Sequence, residues 1–274
     1  PNAWATVNGH MGYVSGGINP DALSVSNWSS MGASEIEIEF LEPGNYDITL
    51  YVGGSGQSNQ CGITSHTETI CVIPEVVADF VLSTNSVCGP ATITSENSSS
   101  ESSCGIENIY NWEVTFQNPD NCPVSNNPNW DFSNGTSASS FEPVFQFNTP
   151  GIYEISLTVS LDTSVIGVDC EPDTKTQTIT IKEKPQTDIP EVELCENESY
   201  TFSLDLFNCY GDPESGPSYL WDFGGASALS IDDVNILNPT ISFDSAGTYP
   251  YTLTLTNECG DNIISGSIEI FPEI

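Results

Sequence analysis

Apolar and polar residues alternate along much of this chain, and the alternation is clearest after three glycines. Each glycine is followed two positions later by a tyrosine and then by apolar residues at every second position, in residues 44–50, 151–157 and 247–253. Successive side chains of a β-strand point to opposite faces of a sheet, so a period of two predicts half-buried strands. The same short alternating runs recur elsewhere, bounded by Gly, Pro, Asn, Asp or Ser, and none has a helical period.

The Gly-x-Tyr segment recurs at intervals of roughly 100 residues, which is the size of a domain rather than of a solenoid repeat. We therefore predict three modules, at residues 1–74, 75–184 and 185–274. Trp4 comes too early in the first module, so we expect that module to be incomplete at its N-terminus and the chain to be a segment of a longer polypeptide. The recurring aromatic residues that we expect in the module cores are Trp4, Trp112, Trp221, Phe40, Phe147, Phe243, Tyr46, Tyr153 and Tyr249.

Several short strands per module predict an all-β fold built from antiparallel β-sandwiches. A tyrosine that opens a strand after a turn glycine has two interpretations. It forms a tyrosine corner, in which its hydroxyl bonds the connecting loop, or it only packs in the core.

The chain is strongly acidic: it has three Lys or Arg residues, 38 Asp or Glu residues and a formal net charge of −35 at pH 7. A field of this sign repels phosphate backbones and anionic headgroups, which argues against nucleic-acid binding and membrane-surface binding. No apolar run is long enough to be a transmembrane helix, so no direct membrane insertion is expected. No cofactor is certain; calcium is the natural counterion, with loop ligand candidates Asp212, Glu214, Asp232 and Asp233.

Nine cysteines are many for a cytoplasmic chain and indicate an oxidising, extracytoplasmic location. Cys88 and Cys195 occupy one equivalent slot of the two later modules, and Cys170 and Cys259 occupy another, in the loop after the tyrosine strand. Because these slots can approach each other in a sandwich, we predict the disulfides Cys88–Cys170 and Cys195–Cys259.

Cys104–Cys122 is a third predicted disulfide. The partner of Cys61 is either outside this chain or Cys71, and Cys209 is left over. Zinc is the rival explanation for the cysteines, but the chain has no CxxC pair and only two histidines.

Residues 219–225 read Tyr-Leu-Trp-Asp-Phe-Gly-Gly, and Gly-Thr-Tyr follows at 247–249 in a strand that ends in Thr-Asn. This combination resembles the PKD domain family, whose signature is Trp-Asp-Phe-Gly-Asp-Gly followed by such a strand. The second module matches less well, at residues 110–112 and 130–135, and the first keeps little beyond Trp4, Phe40 and its Gly-Asn-Tyr strand. Gly225 stands where the family has Asp, which puts the hydrogen bonding of that turn in doubt.

The resemblance implies tandem Ig-like (PKD-like) antiparallel β-sandwich domains in a linear array. The paired cysteine slots and the scarcity of Lys and Arg are similar to PKD-like arrays in very large secreted proteins of Bacteroidetes, including gliding-motility and surface adhesins exported by the type IX system. Proline-stiffened joints between modules, such as Lys184-Pro185, favour a stalk.

These features favour a non-enzymatic extracellular segment of a large bacterial surface adhesin, acting as stalk or spacer in adhesion or gliding. Its expected partners are neighbouring modules, and beyond them surface glycans or other outer-membrane proteins. An enzyme is not expected: the chain has only two histidines, His10 and His66, neither of which recurs, and its many carboxylate pairs do not indicate glycosidase chemistry by proximity alone. The alternative is a carbohydrate-binding accessory region of a secreted polysaccharide-degrading enzyme, with Trp28 or Trp130 stacking on sugar rings.

Overall fold

The computed structural model describes residues 2–7, 10–12, 23–26, 37–53, 64–101, 104–117, 128–162, 170–211 and 216–273. Every regular element in these ranges is a β-strand, and most strands pair antiparallel. The prediction of an all-β antiparallel fold is confirmed. The chain divides into two compact units: Pro1–Ala78, Ser99–Ile109 and Val159–Asp173 form one, and Asp79–Ser98, Tyr110–Thr158 and Thr174–Ile274 form the other.

The first unit contains the N-terminal sheets, which comprise a four-stranded sheet in the order β2-β1-β5-β6 and a β3-β4 pair. Tyr46 is buried there, packed against Ile38, Phe40, Ile48 and Val72. The bounds are β1 Asn2–Val7, β2 His10–Gly12, β3 Leu23–Ser26, β4 Glu37–Phe40, β5 Gly44–Gly53 and β6 Thr64–Val72.

The second unit contains most of the middle sandwich, which we define as the two sheets of β7 to β14. Their strand orders are β11-β12-β9-β7 and β10-β13-β14-β8, which is the arrangement of an immunoglobulin-type sandwich with its first strand divided between the sheets. The bounds are β7 Phe80–Leu82, β8 Ser86–Cys88, β9 Ala91–Asn97, β10 Asn108–Gln117, β11 Trp130–Ser133, β12 Val144–Phe147, β13 Gly151–Leu161 and β14 Asp173–Lys182.

The C-terminal sandwich, also in the second unit, repeats this arrangement with sheets β15-β21-β20-β17 and β16-β19-β18. The tandem Ig-like fold class therefore follows from the strand orders. The bounds are β15 Glu193–Cys195, β16 Ser199–Thr201, β17 Ser218–Asp222, β18 Leu229–Ile231, β19 Thr240–Phe243, β20 Gly247–Asn257 and β21 Gly260–Phe271.

The alternation in the sequence corresponds to the two faces of these sheets. Along β13, every second residue from Gly151 to Leu161 is buried and the residues between them are half-buried. The cores gather the large aromatic side chains: Trp112 and Trp221 are each 2% exposed, while Phe147 and Phe243 are buried beside the tyrosine strands. The backbone of Trp4 lies in β1 opposite Tyr51, and its side chain lies outside the described part of the structure.

A tyrosine corner is present in all three copies of the Gly-x-Tyr segment. In each copy the tyrosine hydroxyl donates to the backbone carbonyl four residues earlier, and the ring packs on the phenylalanine of the preceding strand. The hydrogen bonds are Tyr46 to Glu42 at 2.9 Å, Tyr153 to Thr149 at 2.8 Å and Tyr249 to Ser245 at 2.9 Å. The corner interpretation of the repeated tyrosine is therefore the one that the structure contains.

The backbone conformation explains why the repeated segment begins with glycine. Gly44, Gly151 and Gly247 have φ angles of 146°, 159° and 156°, which L-residues with a side chain rarely adopt. At Gly151 an added Cβ would also clash with the ring of Phe116. Glycine is thus needed where the chain turns into the tyrosine strand.

The predicted disulfides Cys88–Cys170 and Cys195–Cys259 are wrong in this structure, where Cys88 bonds Cys259 and Cys170 and Cys195 are free thiols. The reason is the parallel pairing of β8 with β14. It places Cys88 opposite Lys182, the last residue of β14, whereas Cys170 precedes the first. With about 3.3 Å per residue, that strand separates the two cysteines by about 30 Å, and a disulfide needs Cα atoms within about 7 Å.

The same geometry excludes Cys195–Cys259, because Cys195 lies opposite Phe271 at the end of β21 and Cys259 lies just before its start. Cys104 bonds Cys71 within the first unit, so it is not paired with Cys122, and Cys71 is not the partner of Cys61. Cys209, which the sequence left over, is also in a disulfide bond. Cys61 and Cys122 lie outside the described residues.

Candidate functional site: the joint in the second unit

The middle and C-terminal sandwiches meet at a joint that we define as Cys88, residues 182–185 and residues 257–262. The disulfide Cys88–Cys259 joins the end of β8 to the turn between β20 and β21, with Cα atoms 5.4 Å apart. It closes a loop with a sequence separation of 171 residues. The disulfide is therefore a second covalent link between two successive sandwiches, and its two cysteines are distant in sequence from the linker at residues 182–185.

Two of the three lysines of the chain reach across this joint. Lys182 Nζ lies 2.9 Å from Glu258 Oε1, and both side chains are partly shielded, at 24% and 33% exposed. Lys184 Nζ donates to the backbone carbonyl of Asp261 at 2.9 Å. In so acidic a chain, these cations attach the strand end and linker of one sandwich to the turn of the next.

Two asparagine amides complete the polar contacts of the joint. Asn257 Nδ2 donates to the Glu183 carbonyl at 2.8 Å, and Asn262 Nδ2 donates to the Pro185 carbonyl at 3.0 Å. Asn257 also accepts a hydrogen bond from the Cys259 backbone N–H at 2.8 Å, which fixes the turn that carries the cysteine. Two carbonyls of the linker thus accept hydrogen bonds from the next sandwich.

Glu183 is the titratable side chain at the centre of this linker. Partial burial raises the pKa of its carboxyl, and a hydrogen bond from Gln186 Nε2 at 2.9 Å opposes that rise. Burial and the nearby charge of Glu183 also raise the pKa of Tyr210. Gln186 and Phe207 exchange two backbone hydrogen bonds of 2.8 Å, so the linker joins the C-terminal sandwich as soon as it leaves the joint.

The buried tryptophans have the same contacts in both sandwiches and belong to the framework. Each tryptophan donates its backbone N–H and its indole Nε1–H to two backbone carbonyls that are two residues apart in sequence. These carbonyls lie in the loop before β12 in the middle sandwich and in the loop before β19 in the C-terminal sandwich. The acceptors are Ala138 and Ser140 for Trp112, and Val234 and Ile236 for Trp221.

The two Trp-Asp-Phe motifs are not structurally equivalent. Trp221 lies in β17, which pairs with the tyrosine strand β20, whereas Trp130 lies in β11, which pairs with β12 in the opposite sheet. The structural counterpart of Trp221 is Trp112. Asp222 Oδ1 accepts the Gly224 N–H at 2.8 Å, so the turn that contains Gly225 is closed by this hydrogen bond.

The proposed glycan contacts are described only in part. Trp130 is half-buried, and its ring packs edge-on against Phe132 with centroids 5.5 Å apart. Trp28 lies outside the described residues.

Two candidate calcium ligands act as hydrogen-bond acceptors within their own loop. Asp232 Oδ1 accepts the backbone N–H groups of Thr240 at 2.9 Å and Asp233 at 2.7 Å, and these bonds lower the pKa of the Asp232 carboxyl. Asp233 Oδ1 accepts the N–H of Asn235 at 2.8 Å. Asp212 and Glu214 lie outside the described residues, and within the described ranges no group of three or more His, Cys, Asp or Glu could hold a metal ion.

His66 lies on the exposed strand β6, with Nε2 2.6 Å from Glu68 Oε1 and both side chains about three-quarters exposed. The pair is solvated rather than enclosed in a pocket. No helix among the described residues is long and apolar enough to cross a membrane.

No family model matches the sequence, and no curated protein matches it. The similar solved structures are tandem immunoglobulin-domain fragments. An I-band fragment of titin is 13% identical over 98% of this chain and 93% of its own, with a TM-score of 0.45. Immunoglobulin domains 1–4 of Sidekick-1 are 13% identical over 99% and 68%, with a TM-score of 0.35.

The N-terminal eight immunoglobulin domains of Down Syndrome Cell Adhesion Molecule are 12% identical, with a TM-score of 0.40. They cover all of this chain, which spans 33% of their length. At these levels of similarity the fold assignment rests on the strand orders of the chain itself.

Proposed function

We propose that this chain is a non-enzymatic, extracellular segment of a large bacterial surface adhesin, in which tandem sandwiches act as a stalk or spacer. The modules are those predicted at 1–74, 75–184 and 185–274, and each is PKD-like. The main observation that supports this proposal is the Cys88–Cys259 disulfide, which links two successive sandwiches covalently. A stalk must transmit force without lengthening, and this crosslink serves that purpose.

The covalent path explains the expected effect. Tension applied to the two ends passes from Cys88 directly to Cys259, so the residues between them carry no load while the disulfide is intact. A chain extends by at most about 3.6 Å per residue, so the sequence separation of 171 between Cys88 and Cys259 corresponds to about 600 Å of hidden length. The lysine and asparagine contacts of the joint hold the sandwiches in register around the crosslink.

An oxidising setting agrees with the crosslinks, since disulfides persist outside the cytoplasm. The Trp-Asp-Phe-Gly strand at β17 and the Gly-Thr-Tyr strand at β20 support the PKD-like assignment of the third module. With the scarcity of Lys and Arg, these features favour adhesins of the Bacteroidetes gliding and type IX class as the parent protein.

Single-molecule force spectroscopy tests the stalk role. We expect the oxidised chain to lack the extension of residues 89–258, and the Cys88→Ser/Cys259→Ser variant to release about 600 Å more. The matched control is Cys195→Ser, which replaces a cysteine that is a free thiol in this structure and should extend as the unmodified chain does. Equal extension of the oxidised chain and the double variant would contradict the proposal.

A glycan array separates the stalk from the accessory-module alternative. The stalk proposal expects no saturable binding by the intact chain. Saturable binding that is lost in Trp130→Ala would favour the carbohydrate-binding region of a secreted enzyme instead.

A further inference from the structure

The middle and C-terminal sandwiches build the same parallel strand pair. Strand β8 pairs with the end of β14, with Cys88 opposite Lys182, and β15 pairs with the end of β21, with Cys195 opposite Phe271. Each pair spans three residues and ends at its cysteine. The residue after each cysteine donates its N–H to the carbonyl opposite, at 2.9 Å for Gly89 and 3.0 Å for Glu196. Cys88 and Cys195 therefore hold equivalent positions.

The two equivalent cysteines differ in their chemical state and in the residue opposite them. Cys88 is bonded to Cys259, in the turn before β21 of the next sandwich, whereas Cys195 is an exposed free thiol. Phe271, beside Cys195, is 43% exposed, and the residue at its position beside Cys88 is Lys182, which contacts the next sandwich. The C-terminal sandwich thus presents half of the joint that the middle sandwich has completed.

Cys170 presents the other half. It precedes β14 as Cys259 precedes β21, and it is the second free thiol among the described residues. One chain therefore contains a complete joint, Cys88–Cys259, and two free cysteines that match its two sides, Cys195 and Cys170. This repetition indicates a general pairing rule. The cysteine before the last strand of a sandwich bonds the cysteine of the short parallel strand in the sandwich that precedes it.

We propose that Cys195 is the attachment site for a further sandwich of this repeat, through a disulfide with a cysteine at the position of Cys259. The proposal rests on the tandem stalk proposed above and names its next covalent partner. Because Phe271 replaces Lys182, the partner should place an uncharged residue where Glu258 stands, since an unpaired carboxylate against an apolar ring would lose its solvation.

The reaction is thiol–disulfide exchange with a small-molecule or protein disulfide as oxidant. The Cys195 thiolate attacks one oxidant sulfur, forming a mixed disulfide and releasing one oxidant thiol. The partner thiolate then attacks Cys195 Sγ and releases the second. The two protein thiols lose two protons and two electrons, and the oxidant disulfide is reduced to two thiols.

A tandem extension of the full chain tests the proposal. Since Phe271 corresponds to Lys182, Ile274 corresponds to Pro185, and residues 186–274 are appended directly after Ile274. The appended copy carries Glu258→Gln, which supplies the uncharged residue that the proposal requires, and Cys195→Ser, so the original Cys195 is the one followed by alkylation. The fusion is refolded in a mixture of reduced and oxidised glutathione and mapped by non-reducing peptide mass spectrometry. We expect a crosslinked peptide that joins Cys195 to the appended copy of Cys259, and loss of Cys195 alkylation.

The fusion contains its own reference, because Cys88 should bond the original Cys259 in the same molecule. A Cys195→Ser fusion should leave the appended Cys259 open to alkylation. A second fusion that appends residues 185–274 guards against a junction that disturbs folding, and protease resistance of the appended copy reports that folding.

A folded appended copy with Cys195 still alkylated, or bonded to glutathione, while Cys88–Cys259 is formed overturns the inference. So does a symmetrical Cys195–Cys195 dimer as the main product. If in either case the force measurement still shows extension limited by Cys88–Cys259, the stalk proposal stands and only the attachment site fails.

Discussion

The middle and C-terminal sandwiches share their strand order, tryptophan contacts, tyrosine corner and parallel cysteine-bearing pair. They differ at Cys88 and Cys195, of which one is crosslinked and one is free. The shared framework therefore depends on one sandwich alone, because its hydrogen bonds and ring contacts join residues of the same sandwich. Whether the cysteine is oxidised depends on the neighbouring sandwich, because the disulfide joins residues of two sandwiches.

The largest expected effect is on the shared framework. Replacing Trp112 or Trp221 with Ala should lower the free energy of unfolding by about 3–5 kcal/mol, because each is buried and satisfies its indole N–H. Trp130→Ala is the control and should cost only about 1 kcal/mol, since Trp130 is half-buried. Urea denaturation measures both, and equal costs would contradict the assignment of Trp112 as the counterpart of Trp221.

Breaking the crosslink comes next. Cys88→Ser/Cys259→Ser should destabilise the oxidised protein by about 2–5 kcal/mol, since the disulfide restricts a long loop in the unfolded chain. Cys195→Ser should change stability by less than about 0.5 kcal/mol, because its thiol is exposed and free. Urea denaturation with and without reductant measures the contribution of the disulfide to the free energy of unfolding. If reductant destabilises the double variant as much as the unmodified protein, the prediction is wrong.

Alkaline pH tests the tyrosine corner of the middle sandwich. Burial raises the pKa of Tyr153 from 10.0 to about 12. Because its folded-state pKa exceeds the unfolded value, the stability it contributes is complete below pH 10.0 and is lost as pH rises through about 12. Urea denaturation from neutral to alkaline pH should show a decline that is smaller in Tyr153→Phe, and identical profiles would contradict it.

At neutral pH the same corner has a smaller effect. Tyr153→Phe should cost about 1 kcal/mol, because it removes a hydrogen bond to a partly buried carbonyl while keeping the ring. Tyr249→Phe should cost less, since its hydroxyl bond is exposed to water. Thermal unfolding of the two variants compares them, and the opposite order would contradict the role of burial.

The smallest effect is expected at the ion pair of the joint. Lys182→Gln should cost less than about 1 kcal/mol, because the pair is partly exposed and screened by salt. Lys175→Gln removes a lysine whose pair with Asp79 is longer, at 3.5 Å, and about half exposed, and should cost less still. A double-mutant cycle with Glu258→Gln, at low and high salt, isolates the coupling, and a salt-independent coupling would contradict an electrostatic origin.

The alternation of apolar residues and the Gly-x-Tyr repeat were sufficient to predict strands, repetition and an all-β fold, since strand period and turn conformation are local properties. The Trp-Asp-Phe motif alone does not say which sheet its strand joins, because it occurs in both β11 and β17 and only strand pairing separates Trp130 from Trp221. At Asp232 and Asp233 the acidic loop predicts calcium ligands, and that stays a prediction; the structure adds that each carboxylate accepts a backbone N–H of the folded loop, which the sequence did not indicate.

The spacing of residues along the chain was sufficient to predict the recurring Gly-x-Tyr strand, the equivalent cysteine slots and the aromatic residues of the middle and C-terminal cores. Which cysteine slots bond to each other depends on how the strands pair in three dimensions. Cysteine positions along a chain carry no information on whether a short strand runs parallel or antiparallel to its partner, and that direction places Cys88 at the far end of β14. Because a disulfide tolerates only a few ångströms of separation, strand direction alone turned an expected bond within each sandwich into one between sandwiches.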